Sequence, residues 1–315
     1  MSNYWREREL KHIQRMKKED SKNARRLMAM YQRALDEIQH QIEAFYGRYA
    51  DKEGITMAEA RKRVEPLDIE KYAEKAKRYV KGAHSSNPFI RGMSFTKRAN
   101  EEMRLYNVTM KINRLQLLKL NTELELIATV SEEEQFLSGE LTKQARAEYK
   151  RQSGILGETL SYNEKNIKSI VNSSFLSATW SDRLWANQAA LRAELDKLLT
   201  RGIVQGKNPK ELARELRKTF DSSVANSERL LITEMARVQQ DVFQDSLRQS
   251  GYEQYEFIAE PDACPICKAL NGKVFNLEDA EVGVNAYPMH PRCRCSQAAH
   301  MSREEWDRKL KERGL

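Results

Sequence analysis

Residues 262–272 read Asp-Ala-Cys-Pro-Ile-Cys-Lys-Ala-Leu-Asn-Gly, and residues 290–295 read His-Pro-Arg-Cys-Arg-Cys. These two stretches contain all 4 cysteines of the 315-residue chain. A Cys-x-x-Cys turn presents two thiolates to one tetrahedral ion, and a ligand pair from a later turn closes such a site. Sulfur ligands together with an imidazole favour zinc over magnesium or calcium. The spacing therefore predicts a structural zinc site within residues 262–296.

Five side chains compete for the four positions of a tetrahedral site. The interpretation we favour uses Cys264, Cys267, His290 and Cys293, with Cys295 as the main rival to Cys293 or His290. One of His290, Cys293 and Cys295 then lies beside the metal without binding it. The alternatives are free or disulfide-paired cysteines and a redox role for the Cys264-Pro-Ile-Cys267 turn, which lacks the βαβ context of such motifs.

Composition indicates a chain with long solvated helical faces, because charged residues make up 32% and the mean hydropathy is −0.75. No apolar stretch is long enough to span a bilayer. Residues 1–9 carry charges where a signal peptide needs an apolar segment, so we expect synthesis and retention in a reducing cytoplasm. Such a compartment disfavours disulfides.

Apolar residues recur at helical spacing over most of the chain. Residues 4–46 predict one long helix. A second helix is predicted over 68–80, followed by a hinge loop at 82–95. Another helix opens at Thr96, and a further helix starts at a Ser131/Glu134 capping box. Downstream, helices are predicted up to Gly202, from Asn208 to Phe220 and over 227–250, followed by strands at 252–259 and 273–275. The expected fold is mainly α with a small α+β metal-binding end. Its regions are a helical N-terminal region 1–155, a module 156–300 and a tail 301–315.

Positive charge is concentrated near the N-terminus. Residues 1–100 contain 23 Lys/Arg and 14 Asp/Glu, whereas residues 101–315 contain 31 and 32. This region could neutralise nucleic-acid phosphates or dock on an acidic protein. The competing interpretation is a solvated helix face, since basic and acidic residues alternate.

A catalytic constellation is not evident in the sequence, so we expect no enzyme. The chain has no Gly-rich phosphate loop, no His-Glu-x-x-His and no Gly-x-Ser-x-Gly. A site with a full set of protein ligands is structural, because catalytic zinc keeps an open position. The histidines outside the metal window are predicted to be exposed: His12, His40, His84 and His300. Glu234 lies on or beside the apolar stripe of its helix, and we expect it to pair with Arg237 or Arg214.

Several motifs occur in a fixed order along the chain: Trp180-Ser-Asp-Arg183, Gly202, Gly206, Thr233-Glu234, Asp262-x-Cys264-x-x-Cys267-x-x-Leu270-x-Gly272 and His290-Pro-x-Cys293-x-Cys295. In this order they resemble the phage Mu F-like head morphogenesis family, over roughly residues 160–300.

The resemblance implies a minor capsid protein of a tailed phage, made in the host cytoplasm and located inside the virion near the portal. Its expected partners are the portal protein and the major capsid or scaffolding protein, with no membrane. Residues 1–155 lie outside the resemblance, so contact of their basic helices with the portal, the scaffold or packaged DNA is our own inference. The alternatives are a metal-dependent DNA-processing enzyme and a nucleic-acid-binding regulator. DNA turnover abolished by Glu234→Gln would favour the enzyme, and sequence-selective binding by residues 1–100 the regulator.

Overall fold

The computed structural model describes residues 2–49, 66–82, 96, 98–99, 114–157, 159–205, 207 and 209–301. These residues form a mainly α fold with one small sheet near the end, as predicted. The helices are α1 (Ser2–Tyr49), α2 (Pro66–Gly82), α3 (Arg114–Leu156), α4 (Glu164–Val171), α5 (Trp180–Val204), α6 (Pro209–Gln249) and α7 (Pro265–Leu270). The strands are β1 (Gln254–Ile258), β2 (Val274–Asn276) and β3 (Ser296–His300). Within these residues, no helix is both long and apolar enough to cross a membrane.

The chain divides into two compact units. The first unit comprises Met1–Asn23, Ser138–Trp180 and Glu228–Leu315, and the second comprises Ala24–Leu137 and Ser181–Ser227. The domain limits that we derived from the sequence stay a prediction. Several features that the sequence suggests lie outside the described residues. They are a short helix predicted from a Thr56/Glu59 capping box, most of the proposed hinge at 82–95, His84, Gly206, Asn208 and residues 302–315.

The core of the second unit is built from the predicted apolar stripes. The α1 side chains Leu35, Ile38 and Ile42 are at most 2% exposed, and they join one cluster with leucines of α5 and α6. In the same cluster the rings of Tyr31 and Phe220 meet edge to face, with centroids 6.2 Å apart. Burial of these stripes holds the helices together, since side-chain packing contributes more to helix stability than intrinsic propensity does.

The predicted helix start at Ser131 is wrong, because α3 runs through it without a break. The hydroxyl of Ser131 accepts a hydrogen bond from the backbone N–H of Thr96 at 2.7 Å. Glu134 also serves a tertiary contact, since its Oε1 accepts from Ser181 Oγ and from Trp185 Nε1. Residues 114–138 contain neither Gly nor Pro, so nothing local interrupts the helix.

The two helices predicted over 208–220 and 227–250 are one helix, α6. The polar segment between them contains no Gly or Pro. The hydroxyls of Ser222 and Ser223 donate to the carbonyls of Lys218 and Thr219, both at 3.2 Å. This bonding pattern accommodates serine inside a helix, so the serines do not end it.

The sheet has β1 at its centre, with β2 and β3 antiparallel on either side. Both predicted strands are confirmed, and the side chains of Tyr255 and Phe257 are fully buried as their alternation predicts. Gly272 adopts a φ of +79°, a conformation that glycine accepts without a steric penalty. The turn at Gly272 leads from α7 into β2, and β3 begins directly after Cys295. The sheet thereby brings both cysteine turns into the first unit.

Candidate metal centre

The first ligand turn is built by the start of α7. Cys264 occupies the N-cap, Pro265 follows as the first helical residue and Cys267 lies one turn later, fully buried. Proline is favoured at this position because its fixed φ suits the first turn. The backbone amides of Cys267 and, to a smaller extent, Ile266 favour the Cys264 thiolate, so the pKa of Cys264 is lowered. The turn thus presents one thiolate at the rim and one sulfur in the interior.

The second ligand turn carries the imidazole and the last two cysteines. The backbone N–H of Cys293 donates to the carbonyl of His290 at 3.1 Å, which closes the turn. His290 Nδ1 donates to the carbonyl of Pro291 at 2.9 Å, which leaves Nε2 as the acceptor atom. A hydrogen bond to the second ring nitrogen is the usual way in which a metal-ligating histidine is oriented.

The distances between the two turns fit a zinc tetrahedron. Nε2 of His290 lies 3.4 Å from Cys264 Sγ and 3.5 Å from Cys267 Sγ. Zinc–sulfur bonds of about 2.3 Å and zinc–nitrogen bonds of about 2.0–2.1 Å place such ligand atoms about 3.6 Å apart. Cys264, Cys267 and His290 therefore have the spacing that a tetrahedral zinc ion requires.

A second group of ligand atoms shares one member with the first. The sulfurs of Cys267, Cys293 and Cys295 lie within 4.8 Å of one another, and all three residues are buried. The structure thus brings together all five predicted candidates around Cys267. Both groups could hold a metal ion, and the choice of the four ligands stays a prediction.

The sulfurs of the cysteine cluster shift one another's pKa values. The pKa of Cys293 is lowered, chiefly because the thiols of Cys267 and Cys295 donate to its sulfur. The same contacts with Cys293, together with burial, raise the pKa of Cys267 and of Cys295. Without a cation the cluster therefore favours one buried thiolate over several. A divalent ion would compensate additional negative charge and allow further thiolates to form.

A threonine of α6 supports the second ligand turn. The backbone N–H of Arg292 donates to Thr233 Oγ1 at 3.1 Å, and the same hydroxyl donates to the carbonyl of Arg229 at 2.7 Å. Arg292 has a φ of +64°, an unusual conformation for a side chain other than glycine or asparagine. Its guanidinium also contacts Glu228 at 3.3 Å. These contacts fix the backbone between two candidate ligands, a role that the sequence did not reveal.

Glu234 is part of a packing network, as its predicted ion pair implies. Its carboxylate lies 2.6 Å from Arg237 Nε, and both side chains are at most 2% exposed. The guanidinium of Arg237 also donates to the carbonyls of Ile170 and Val171. The network therefore fixes the end of α4 against α6 within the first unit.

The N-terminal segment of α1 contacts the residues that flank the cysteines. Arg294, which lies between Cys293 and Cys295, donates to Asp20 at 2.8 Å through Nε and again through Nη2. Ser296 donates to Glu9 at 2.7 Å, and Lys17 lies 2.7 Å from Glu260. Sequence patterns could not predict these contacts, because they join residues more than 240 positions apart.

The prediction of an exposed His12 is wrong. Its side chain is buried, and its Nε2 lies 3.0 Å from Gln239 Nε2. Burial, with a smaller contribution from Arg151, lowers the pKa of His12 to about 4. Lys11 and Arg15, two of its charged neighbours in sequence, are exposed on other faces of α1. His40 is exposed as predicted, and His300 is half-buried.

The fold and the site define a class: a mainly helical protein whose C-terminal region carries a small α+β unit with a Cys/His cluster suited to a metal ion. Residues 193–298 match the family model described as Phage Mu protein F like protein. The chain therefore carries a phage Mu F-like region, which confirms the resemblance for these residues, although Trp180–Arg183 precedes the match. The match covers about a third of the chain. No curated protein and no solved structure shows significant similarity to the chain.

Proposed function

We propose that the chain is a minor capsid protein of a tailed phage, associated with the portal and the inner capsid, that acts in head assembly, in genome delivery or in both. The observation that carries this proposal is the family match over 193–298, which includes α6, β1, β2, the first part of β3 and all five candidate ligands. The portal protein and the major capsid or scaffolding protein are its proposed partners. The basic N-terminal region contacts packaged DNA through phosphate neutralisation.

The metal is structural zinc in this proposal. Cys264, Cys267 and His290 hold it together with Cys293 or Cys295, and a full set of protein ligands leaves no position for a reacting water. The ion supplies folding energy, because it draws two turns of the chain to one point. It thereby keeps the first unit rigid for assembly.

The proposed role is not enzymatic, and the environment of Glu234 supports this view. A carboxylate held 2.6 Å from a buried guanidinium is committed to an ion pair and is poorly placed to accept a proton from a substrate. We expect purified protein to leave DNA intact in the presence of zinc or magnesium. Cleavage that disappears in Glu234→Gln would contradict the proposal and favour a DNA-processing enzyme.

Mass spectrometry of purified virions, compared with the infected-cell lysate, tests the head role. The proposal predicts that the chain is enriched in virions and that it co-purifies with portal rings isolated from heads. Virions that lack the chain while the lysate contains it would contradict the proposal.

A further inference from the structure

One stretch of backbone serves both the metal centre and helix α1. The sulfurs of Cys293 and Cys295 belong to one group of candidate metal ligands. The residues that follow each of them, Arg294 and Ser296, form hydrogen bonds with side chains of α1. Because these four residues are consecutive, a movement that displaces the candidate ligands also displaces the partners of α1.

The bonds from this stretch to α1 are buried. Arg294 is 5% exposed and donates to the carboxylate of Asp20 through both Nε and Nη2, with the Nε bond at 2.8 Å. Ser296 is 3% exposed and donates at 2.7 Å to Glu9, a carboxylate that Arg151 also holds at 2.5 Å. Buried polar contacts depend strongly on geometry, since water does not replace a displaced partner there. The position of the second ligand turn therefore affects how firmly α1 is held.

The first ligand turn contacts the same helix. Lys17 Nζ lies 2.7 Å from Glu260 and 3.6 Å from Asp262, and both acids precede the turn. The side-chain oxygen of Asn271, directly after α7, accepts from Arg6 at 3.0 Å. These contacts are more exposed and contribute less than the buried pairs. They nevertheless extend the contact of α1 to both ligand turns.

The residues of α1 that make these contacts lie on one face of the helix. Side chains three or four positions apart are neighbours on a helix surface. The members of this face are Arg6, Glu9, Ile13, Met16, Lys17 and Asp20. Ile13 and Met16 are at most 6% exposed and line a small cavity together with Tyr287 and Cys295. Polar and apolar contacts thus hold the same face of α1 against the metal centre.

A bound ion would restrain both ligand turns at once. The candidate ligands come from two turns that lie apart in sequence, and one ion draws them to a common point. Helix α1 then meets turns that are already ordered, so its docking costs less conformational entropy. Metal binding and docking of α1 therefore favour each other, and such coupling is reciprocal.

We propose that residues 2–23 form a metal-dependent arm, which docks on the ligand turns when the centre holds zinc and is released when zinc is removed. The arm is the part of α1 that belongs to the first unit. Its docking is a conformational device, because one event at the ligand turns changes the order of a helical segment. This inference rests on the structural zinc of the proposed function and assigns to that ion control over the arm.

Hydrogen exchange of the full chain, measured by mass spectrometry with and without a zinc chelator, tests the proposal. We expect removal of zinc to lower the protection of amides in residues 8–22 by at least about tenfold, since local opening sets the exchange rate. Residues 236–247 of α6 are the internal control, because they lie in the core of the same unit and should stay protected. Equal loss of protection in both segments would show unfolding of the whole unit and would overturn release of the arm.

The reciprocal effect appears in the affinity for zinc. Asp20→Asn removes the charge of the buried pair with Arg294 and keeps the size of the side chain, so we expect zinc affinity to fall about tenfold. Tyr149→Phe is the matched control. It removes a hydrogen bond of 2.6 Å to a carboxylate of the same unit, that of Asp245, which belongs to neither ligand turn. We expect this variant to bind zinc like the wild type, and equal losses in both variants would overturn the coupling.

Failure of the arm can be distinguished from failure of the structural zinc. Protein that binds no zinc would contradict the structural ion and overturn this inference with it. Protein that binds one zinc ion, but whose residues 8–22 exchange equally before and after chelation, would overturn the arm alone and leave the structural ion in place.

Discussion

Thr233 uses one hydroxyl for two hydrogen bonds, and only one of them belongs to its own helix. Thr233→Val keeps the shape of the side chain but leaves the backbone N–H of Arg292 without its acceptor. Because this amide lies between His290 and Cys293, we expect zinc affinity to fall by about 10- to 100-fold, as for other residues that orient metal ligands. Competition with a chromophoric chelator measures the change.

Thr219→Val is the matched control for this substitution. Thr219 donates to the carbonyl four residues earlier, as Thr233 does, but it lies in the second unit. We expect no change of zinc affinity in this variant. Equal losses in both variants would mean that the helix as a whole, and not the contact with Arg292, sets the affinity.

Glu133 predicts a pH dependence of stability. Burial raises its pKa to about 7, and its carboxylate accepts from Tyr31 Oη at 2.8 Å. The folded state therefore binds this proton more tightly than the unfolded chain does. Proton binding by Glu133 stabilises the folded state fully below pH 4.5, and this contribution is lost as the pH rises to 7. Glu133→Gln changes the free energy of unfolding at each pH. We expect this change to be more favourable at pH 8 than at pH 4.5, by on the order of 3 kcal/mol. Urea unfolding at both pH values measures this difference.

The neighbouring residue provides the control. Glu132 pairs with Arg33 at 2.7 Å on a partly exposed surface, so Glu132→Gln removes the same charge without relieving burial. We expect its effect on stability to differ between the two pH values by less than about 1 kcal/mol, since an exposed ion pair contributes no more than that. If Glu133→Gln shows no pH-dependent gain either, the carboxyl group is not held in its neutral form.

Sequence patterns identified the metal-window residues but not their supports. The residue types and spacing of four cysteines and a histidine in one window predict a metal site. The Glu234–Arg237 pair joins residues three positions apart in one helix, so helical spacing predicts it as well. Thr233 and His12 depend on partners far along the chain. Their environments follow from tertiary packing, which a single sequence does not display.

At the scale of the helices, Gly202 is explained by close packing and not by a helix end. α5 continues to Val204, and a Cβ atom at Gly202 would lie 3.1 Å from Leu212 Cδ1. Since Leu212 is fully buried, it has little room to move. We expect Gly202→Ala to lower the free energy of unfolding by about 1 kcal/mol, because overpacking outweighs the gain in helix propensity.

For Gly47, in the same unit, we expect replacement by alanine to have the opposite effect on the free energy of unfolding. It lies near the end of α1, is exposed, and a Cβ atom added to it would meet no other atom within 4 Å. Gly47→Ala should therefore raise stability by about 0.5–1 kcal/mol. Thermal unfolding of both variants compares them, and an equal gain in both would show that α5 and α6 are not tightly packed at Gly202.

Helix positions were predictable from apolar spacing, whereas helix boundaries were not. The stripes that include Leu35, Leu195 and Leu216 are all buried as expected. The errors at Ser131 and at 221–227 share one cause, since serine forms similar hydrogen bonds at a helix start and inside a helix. Only tertiary partners such as Thr96 distinguish the two situations.

For the molecule as a whole, the first unit combines segments from both ends of the chain. Residues 1–23 join residues 228–315 in one compact unit, although composition suggested a separate basic N-terminal region. The contacts of Asp20 with Arg294 and of Glu9 with Ser296 explain why the start of α1 belongs there. Charge statistics could not indicate this, because they average over residues that face solvent and residues that form specific pairs.

Loss of one central ligand should destabilise this unit. Cys267 belongs to both groups of candidate ligands, so we expect Cys267→Ser to lower the free energy of unfolding by several kcal/mol. A chelator should destabilise the wild-type protein to a similar extent but should have little further effect on the variant. Additive effects of chelator and substitution would show that Cys267 contributes through packing and not through metal binding.

The convergence of both cysteine turns on one zinc ion can be checked by elemental analysis of the purified chain. Inductively coupled plasma mass spectrometry, combined with native mass spectrometry, gives the identity and stoichiometry of any bound metal. We expect one zinc ion per chain, which is lost in Cys267→Ser. Wild-type protein purified without chelators that contains no stoichiometric metal would show that the two turns do not share an ion.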